Sequence, residues 1–314
     1  MRPVQKGCDY LLFDISNLLY RCFYSQKNDD EVTINGMAIH IALTTLNKYF
    51  KQYIPHKRVV MAFDCGSWRK QYVIDNCVTT KEYKGNRRQN MTQSQLAKYE
   101  SFKTHLNEFE QMMRSYTTIL TLSGPNLEAD DLIAGFVQMH PDDNIVIITA
   151  DSDMAQLFKH QNVNIVSPIT DKPQKLDKFN NDPEYYLYQK CIRGDSTDNI
   201  PSAYPRVKQT RIEKSYNDLF ERANLMKETW TDQNKKVMSV ERMFKDNQAL
   251  IDLEKQPQDI RDLIFSTIEN ELKVNKHFSL FHILKFLGRN ELVKIKDNID
   301  LYIPLLSTKP KGGN

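Results

Sequence analysis

Three short apolar runs in this chain each lead into aspartate, and no other feature narrows the fold as much. Residues 10–13 run into Asp14, residues 58–63 into Asp64, and residues 145–149 into Asp151 and Asp153. Between them, apolar residues recur at helical spacing over 34–53 (Met37, Ile41, Leu43, Leu46, Phe50), 96–116 and 128–139. Apolar runs alternating with amphipathic helices predict an α/β class: a mostly parallel central sheet flanked by helices. In such a sheet, ligands bind outside the carboxyl ends of the strands, which is where these aspartates fall. If the third strand continues past Thr149, Asp151 and Asp153 point to the same side.

From about Pro183 the strand signal fades and helical patterns take over, including 185–192 and 263–286. The expected organisation is an α/β catalytic domain over 1–183 and a smaller helical region over 184–314, ending in a polar tail, 309–314. The chain has 314 residues, 40% of them hydrophobic, enough for a sizeable core in one large domain or two smaller ones. No stretch is long and apolar enough to predict a membrane span. The first apolar run is broken by Asp14 and lacks a small-residue cleavage site, so no secretory leader is expected. Cys8, Cys22, Cys65, Cys77 and Cys191 are odd in number and never spaced C-x-x-C, the pattern of reduced thiols in a cytoplasmic protein.

Two further acidic groups join the strand ends. Glu128-Ala129-Asp130-Asp131 opens a helix, and Gly194-Asp195-Ser196-Thr197-Asp198-Asn199 reads as a turn. Either could be local chemistry alone, because acidic residues favour helix N-termini and Asp and Gly favour turns. The joint pattern is harder to explain locally. Crowded carboxylates repel and protonate unless cations neutralise them. Oxygen ligands without His or Cys select Mg²⁺ or Mn²⁺ over zinc. Two such ions, roughly 3.5–4 Å apart, can clamp the attacking and leaving oxygens of a phosphodiester displacement. The candidate metal ligands are Asp14, Asp64, Glu128, Asp130, Asp131, Asp151, Asp153, Asp195 and Asp198.

Net charge is only +3, but its distribution is uneven. Between Arg69 and Arg88 six basic residues (Arg69, Lys70, Lys81, Lys84, Arg87, Arg88) face two acidic ones (Asp75, Glu82). A polyanion near a metal site would use such an excess. Tyr83 could stack on an exposed base. Lys208, Arg211 and Lys214 offer a second phosphate contact, though such runs are as often simply solvated.

Taken in order, these pieces resemble the 5′-nucleases: flap endonucleases, the 5′-nuclease domain of bacterial DNA polymerase I and phage 5′-exonucleases. The matching segments are Leu11-Leu12-Phe13-Asp14 with Leu19-Tyr20-Arg21, Met61-Ala62-Phe63-Asp64, and Glu82-Tyr83-Lys84-Gly85-Asn86-Arg87. They continue with Glu128-Ala129-Asp130-Asp131, Thr149-Ala150-Asp151-Ser152-Asp153 and Gly194-Asp195-Ser196-Thr197-Asp198-Asn199-Ile200-Pro201. A later piece, from Phe244-Lys245-Asp246-Asn247 to Asp252-Leu253, is similar to the ribonuclease H branch of T-even bacteriophages.

The resemblance implies a PIN-like 5′-nuclease fold with a basic helical arch over about 68–110 and a duplex-binding C-terminal region. It implies that Asp14, Asp64, Glu128 and Asp130 hold or surround a first Mg²⁺. Asp151, Asp153 and Asp198 would serve a second, with Asp131 and Asp195 in outer positions and Mn²⁺ able to substitute. Lys84 and Arg87 would be catalytic, acting on the scissile phosphate. Tyr83 would stack on the terminal base, and Arg21, Arg88, Lys208 and Arg211 would contact nucleic acid. One departure stands out: relatives often carry a Gly-rich helix–hairpin–helix with a K⁺ after the Asp-Asn-Ile-Pro segment. Here Ser202-Ala203-Tyr204-Pro205-Arg206-Val207-Lys208 has no glycine, which leaves the hairpin geometry and the K⁺ open while a basic helical contact can survive.

The implied activity is a metal-dependent 5′→3′ nuclease of phage replication, located in the host cytoplasm. It would remove RNA primers from RNA–DNA duplexes, trim adjacent DNA and cut 5′ flaps. It is expected to be a monomer without membrane attachment. A single-strand-binding protein or sliding clamp fits such a role as partner, and no peptide identifies either. Two other classes stay open: a catalytically silent nucleic-acid-binding protein, and a haloacid-dehalogenase-type phosphatase built on Asp14. The second wants another Asp two residues later, where Ser16 stands.

Overall fold

The computed structural model describes residues 7–25, 31–54, 58–79, 81–87, 89 and 91–308. Arg88 and the tail 309–314 lie outside the described residues. The first half runs β1 (Tyr10–Asp14), α1 (Ile15–Ser25), α2 (Glu31–Gln52), β2 (Arg58–Ala62), α3 (Arg69–Asn76), α4 (Gln93–Tyr116), β3 (Leu120–Leu122), α5 (Ala129–Met139), β4 (Ile145–Ile148), β5 (Val163–Ser167) and β6 (Lys172–Pro173). The second half runs α6 (Pro183–Arg193), α7 (Gln209–Asn217), α8 (Leu219–Met226), β7 (Thr229–Thr231), β8 (Val237–Ser239), α9 (Val240–Ile251), α10 (Gln258–Lys273), α11 (Leu280–Arg289), α12 (Val293–Lys296) and α13 (Ile303–Leu306).

The six-stranded sheet has the order β3-β2-β1-β4-β5-β6. All pairings are parallel except β5 with β6. Strands buried on both faces read as continuous apolar runs, which is why 11–13, 59–63 and 145–148 are apolar throughout. The pleat sends alternate residues to opposite cores. Leu11, Phe13, Val59, Met61, Val146 and Ile148 face one core, with α2 and α4. Leu12, Val60, Ala62, Ile145 and Ile147 face the other, with α5.

The strand expectations hold at 10–13, 58–63 and 145–149 to within a residue or two. β3 and β5 were not anticipated; β3 has only three residues, and the Asn164 within β5 interrupts its apolar run. The pattern over 263–286 breaks into α10 and α11. Lys276, in the connecting segment, is nearly buried and pairs with Glu271 of α10 at 2.5 Å. The second half also contains a short β7–β8 hairpin, three residues a side and largely exposed, too short to show in the sequence pattern.

Residues after 183 return to both faces of the sheet. Ile264 and Ile268 of α10 join the core beneath α5. There Gly135 of α5 allows close approach: a Cβ would lie 2.3 Å from Ile264 Cγ2. Ile283, Phe286, Leu287, Leu305 and Leu306 complete the other core. Apart from these layers, Tyr185, Tyr188 and Ile192 of α6 pack with Ile212 and Leu225 in a separate helical cluster. Among the described residues, no helix is long and apolar enough to cross a membrane.

Candidate active site

The chain leaves β1 toward β2 on one side and later fills β4 on the other, so the strand order reverses between β1 and β4. Such a switch point leaves a crevice at the carboxyl edge. A cleft of about 540 Å³ lies there, lined by Asn17, Lys84, Arg87, Asp130, Asp151, Asp153, Tyr186, Lys190, Asp195 and Asp198, among others.

Asp14 closes β1 and is 5% exposed. Its oxygens accept from the Asn17 N–H at 3.0 Å and the Thr149 hydroxyl at 2.9 Å, tying β1 to the end of β4. Burial, with the charges of Asp64 and Asp151, pushes its carboxyl up to about 7. Asp64 is tied in from two sides. Its own N–H donates to Ser16 Oγ at 2.7 Å, and its Oδ1 accepts from the Ala129 N–H at 2.8 Å at the start of α5. Ser16, the residue that weakened the phosphatase alternative, thus serves as a link between β1 and β2.

Glu128, Asp130 and Asp131 lie together at the mouth of α5, with carboxylate oxygens within 4.8 Å of one another. Their environments differ sharply. Asp131 is fully buried and takes both forks of Arg69, at 2.8 and 2.9 Å, plus the Trp68 indole N–H at 3.1 Å. Glu128 accepts from Arg69 at 2.7 Å, Ser67 at 2.8 Å, Tyr83 at 3.1 Å and Lys84. Against the penalty of burial, Lys84 and Arg69 hold its carboxyl down to about 2. Asp130 faces the cleft and is only 4.0 Å from Arg69. Burial and the neighbouring Asp131 and Glu128 outweigh Arg69, and its carboxyl sits well above the usual range.

The Asp151 and Asp153 geometry differs from expectation. β4 ends at Ile148, and residues Ser152–Lys159 form a 3₁₀ helix that Asp151 caps by accepting from the Asp153 N–H at 2.9 Å. A tight turn, not a pleat, brings the two carboxylates together. Burial and Asp153 raise the Asp151 carboxyl. Opposite them, α6 ends at Gly194 and the chain turns through Asp195 and Asp198. Asp195 caps its own turn, accepting from the Thr197 N–H at 2.8 Å and hydroxyl at 2.5 Å. The turn chemistry weighed as an alternative is therefore also present. Lys190 of α6 pairs with Asp153 and, at 2.8 Å, with Asp195. Despite burial, Lys190 and Thr197 hold the Asp195 carboxyl down to about 2.

The basic stretch sits over this edge, but its charges are committed. Lys84 reaches Glu128, and Arg87 donates to Asp198 at 2.7 Å. The backbone is docked too: the Lys84 N–H donates to Asp198 O at 2.9 Å, and Asn199 Nδ2 donates to Glu82 O at 2.8 Å. Two expectations need correction. Tyr83 is 2% exposed, and its hydroxyl donates to Glu128 and, at 2.9 Å, to Asp198, so its ring is no exposed stacking platform. Arg69 is 1% exposed and neutralises acidic residues, so it adds nothing to a phosphate-binding excess.

The more distant basic residues do not line the cleft. Arg21 is exposed on α1 and Lys208 precedes α7, also exposed. Arg211 is paired with Glu228, and Lys214 with Glu221 at 2.6 Å. Sequence reasoning missed Arg69 and Lys190 as organisers of the carboxylates. The available signals were slight: a basic residue directly after the buried Trp68, and a lysine one turn after Tyr186 on a largely buried helix.

A divalent cation fits this donor set. The ligand atoms are all oxygen; Asp130 and Asp151 line the cleft, and Asp14, buried at the end of β1, has its carboxyl raised by burial and by the charges of Asp64 and Asp151.

Residues 9–185 match the family model described as 5′-3′ exonuclease, N-terminal resolvase-like domain. The chain is 27% identical over 213 residues to a 5′-3′ exonuclease of Buchnera aphidicola subsp. Schizaphis graminum, covering 65% of this chain and 68% of that one. It is 26% identical over 202 residues to the ribonuclease H of enterobacteria phage T4, covering 62% and 63%. Among solved structures, the T5 D15 protein co-crystallised with metal ions superposes with a TM-score of 0.60 at 20% identity. The match covers 84% of this chain and 100% of that one, which establishes a shared fold.

Proposed function

We propose, from the premise that this chain belongs to the 5′-3′ exonuclease family, that it is a Mg²⁺-dependent 5′→3′ nuclease acting on RNA–DNA and DNA duplexes with 5′ ends or flaps. Mn²⁺ would substitute for Mg²⁺. Removal of RNA primers in phage DNA replication is the role we assign it, a reading supported by the likeness to the T4 ribonuclease H. The observation that carries the proposal is the convergence of Asp14, Asp64, Asp130, Asp151 and Asp198 from five chain segments on the sheet's switch point, with Lys84 and Arg87 above them.

Asp14, Asp64, Glu128 and Asp130 would hold one cation and Asp151, Asp153 and Asp198 a second; Asp195, which the resemblance puts in an outer position, we assign to the second cation as well because it shares Lys190 with Asp153. When bound, such ions supply Lewis-acid charge to a phosphoryl oxygen and make water a better nucleophile. The protein's own residues do the rest. Arg69 holds Glu128 in a fixed orientation and keeps Asp131 neutralised in the interior. Lys84 and Arg87 would turn from Glu128 and Asp198 toward an entering phosphodiester, orient it, and stabilise charge as it develops. Water adds to phosphorus and the P–O3′ bond breaks, leaving a 3′-hydroxyl on one piece and a 5′-phosphate on the other. Reaction at a terminus needs local unpairing, at about a few kcal/mol.

The test is incubation of the protein with 5′-labelled RNA–DNA duplex and 5′-flap DNA, in Mg²⁺, in Mn²⁺ and in EDTA. Short 5′-labelled products in either metal, and none in EDTA, are expected. Binding without cleavage in both metals would overturn the proposal in favour of a silent binder.

A further inference from the structure

Lys190 of α6 reaches into the acidic edge and, with Arg193, lines the cleft. Its ammonium contacts Asp153 and lies 2.8 Å from Asp195, and its side chain is only 15% exposed. Tyr186, one turn earlier, donates to the same Asp153 oxygen at 3.3 Å and to Ser152 O at 3.1 Å. Asp195 is fixed in turn by Thr197 and by the Gly194 turn at the end of α6. The ammonium is thus centred between two carboxylates assigned above to the second cation, and each of them is oriented toward it.

We propose that Lys190 is an internal counter-ion that takes the second cation's place between Asp153 and Asp195, and that the cation binds there only as Lys190 withdraws. This rests on the assignment of Asp151, Asp153, Asp195 and Asp198 to a second cation. A monovalent ammonium and a divalent ion cannot share the same oxygens, because like charges at such separations repel by several kcal/mol at protein-like dielectric. Lys190 therefore keeps the acidic group from repelling itself apart while weakening the site for metal. The withdrawn ammonium is left at the wall of the cleft, beside any phosphate bound there. Nucleic acid would draw Lys190 outward and so tighten the second cation, and by reciprocity that cation would tighten nucleic acid.

The experiment is Mn²⁺ binding to the full chain without nucleic acid, followed by electron paramagnetic resonance, for the wild type, Lys190→Met and Lys190→Arg. The wild type should show one tighter and one weaker class of site. Lys190→Met should tighten the weaker class at least about tenfold, and Lys190→Arg should leave it near wild type. In parallel, acylation of wild-type lysines, read by peptide mass spectrometry, should show Lys190 protected without metal and severalfold more reactive in saturating Mg²⁺. The exposed Lys208 serves as the internal reference. This second measurement stands even if Lys190→Met does not fold. Two classes of Mn²⁺ with no change in Lys190→Met, or Lys190 labelling indifferent to Mg²⁺, would overturn this inference alone. A chain that binds no Mn²⁺ would overturn it together with the metal assignment beneath it.

Discussion

Arg69 illustrates how a single side chain sets the character of two others. Its guanidinium is 1% exposed, bidentate to Asp131, bonded to Glu128, and anchored through Nε to Leu250 O at 2.8 Å. Removing one partner from a buried ion pair leaves the other charge uncompensated and costs about 3–5 kcal/mol. Arg69→Met is therefore expected to lower stability by about that amount in urea unfolding, and a change below about 1 kcal/mol would contradict the assigned role. Asp14 supplies a pH test. Its carboxyl is raised from 3.8 to about 7 by burial and by Asp64 and Asp151. In metal-free protein its protonated form stabilises the fold fully below the unfolded value, and that contribution is lost as pH rises through about 7. A cation bound at Asp14 replaces the proton. The gain in Tm from saturating Mg²⁺ should accordingly be larger at about pH 8 than at about pH 5.5, and a gain that shrinks with pH would count against Asp14 as a ligand. At this scale the carboxylates themselves were legible, since each closes an apolar run or opens a helix or turn. Their cationic partners were not. Pairing of Arg69 with Asp131, or Lys190 with Asp153, joins residues distant in sequence, and nothing local separates a buried arginine from a solvated one.

At the scale of elements, the α6–Gly194 junction has the least freedom. Gly194 has φ 72° and ψ −169°, a region essentially reserved for glycine. A Cβ there would lie 2.4 Å from Ile200 O and 2.5 Å from Pro201 O, backbone atoms that cannot rotate away. The turn it closes carries Asp195 and Asp198 and receives the backbone of Lys84. Gly194→Ala should cost at least about 1–3 kcal/mol of stability and displace both carboxylates, with cleavage falling further than binding. Wild-type cleavage in a folded Gly194→Ala protein would contradict this role for the turn. The neighbouring basic stretch shows where sequence reading stopped short. The segment holding Tyr83, Lys84 and Arg87 was legible as a basic, aromatic stretch from its residue types. That the segment folds down onto Glu128 and Asp198, burying Tyr83, depends on a left-handed Lys84 (φ 56°) and on hydrogen bonds to a turn over a hundred residues away. The two-residue spacing of Asp151 and Asp153 misled in a different way, because strand and tight turn can both bring such a pair together.

For the whole molecule, the alternation of runs and helices was enough to read a mostly parallel sheet and the edge at which its aspartates gather. The way the later helices close the cores was not legible, because amphipathic patterns state that a face is buried without stating against what. Ile264, Ile268, Ile283, Phe286, Leu287, Leu305 and Leu306 all lie under 10% exposed in the two sheet-facing cores. A chain ended at residue 257 should therefore lack a cooperative thermal transition by circular dichroism, and a wild-type melt would show that the sheet stands without them. The account's central claim is that carboxylates gathered at one switch point carry out metal-dependent phosphodiester hydrolysis, and Asp130 lines the cleft with Arg69 no nearer than 4.0 Å. The most direct measurement is single-turnover cleavage of 5′-labelled flap DNA in Mg²⁺ by the wild type and Asp130→Asn, with binding followed by fluorescence anisotropy. The account predicts a rate at least about a thousandfold lower in the variant, with affinity kept within about threefold. An unchanged rate in Asp130→Asn would contradict it.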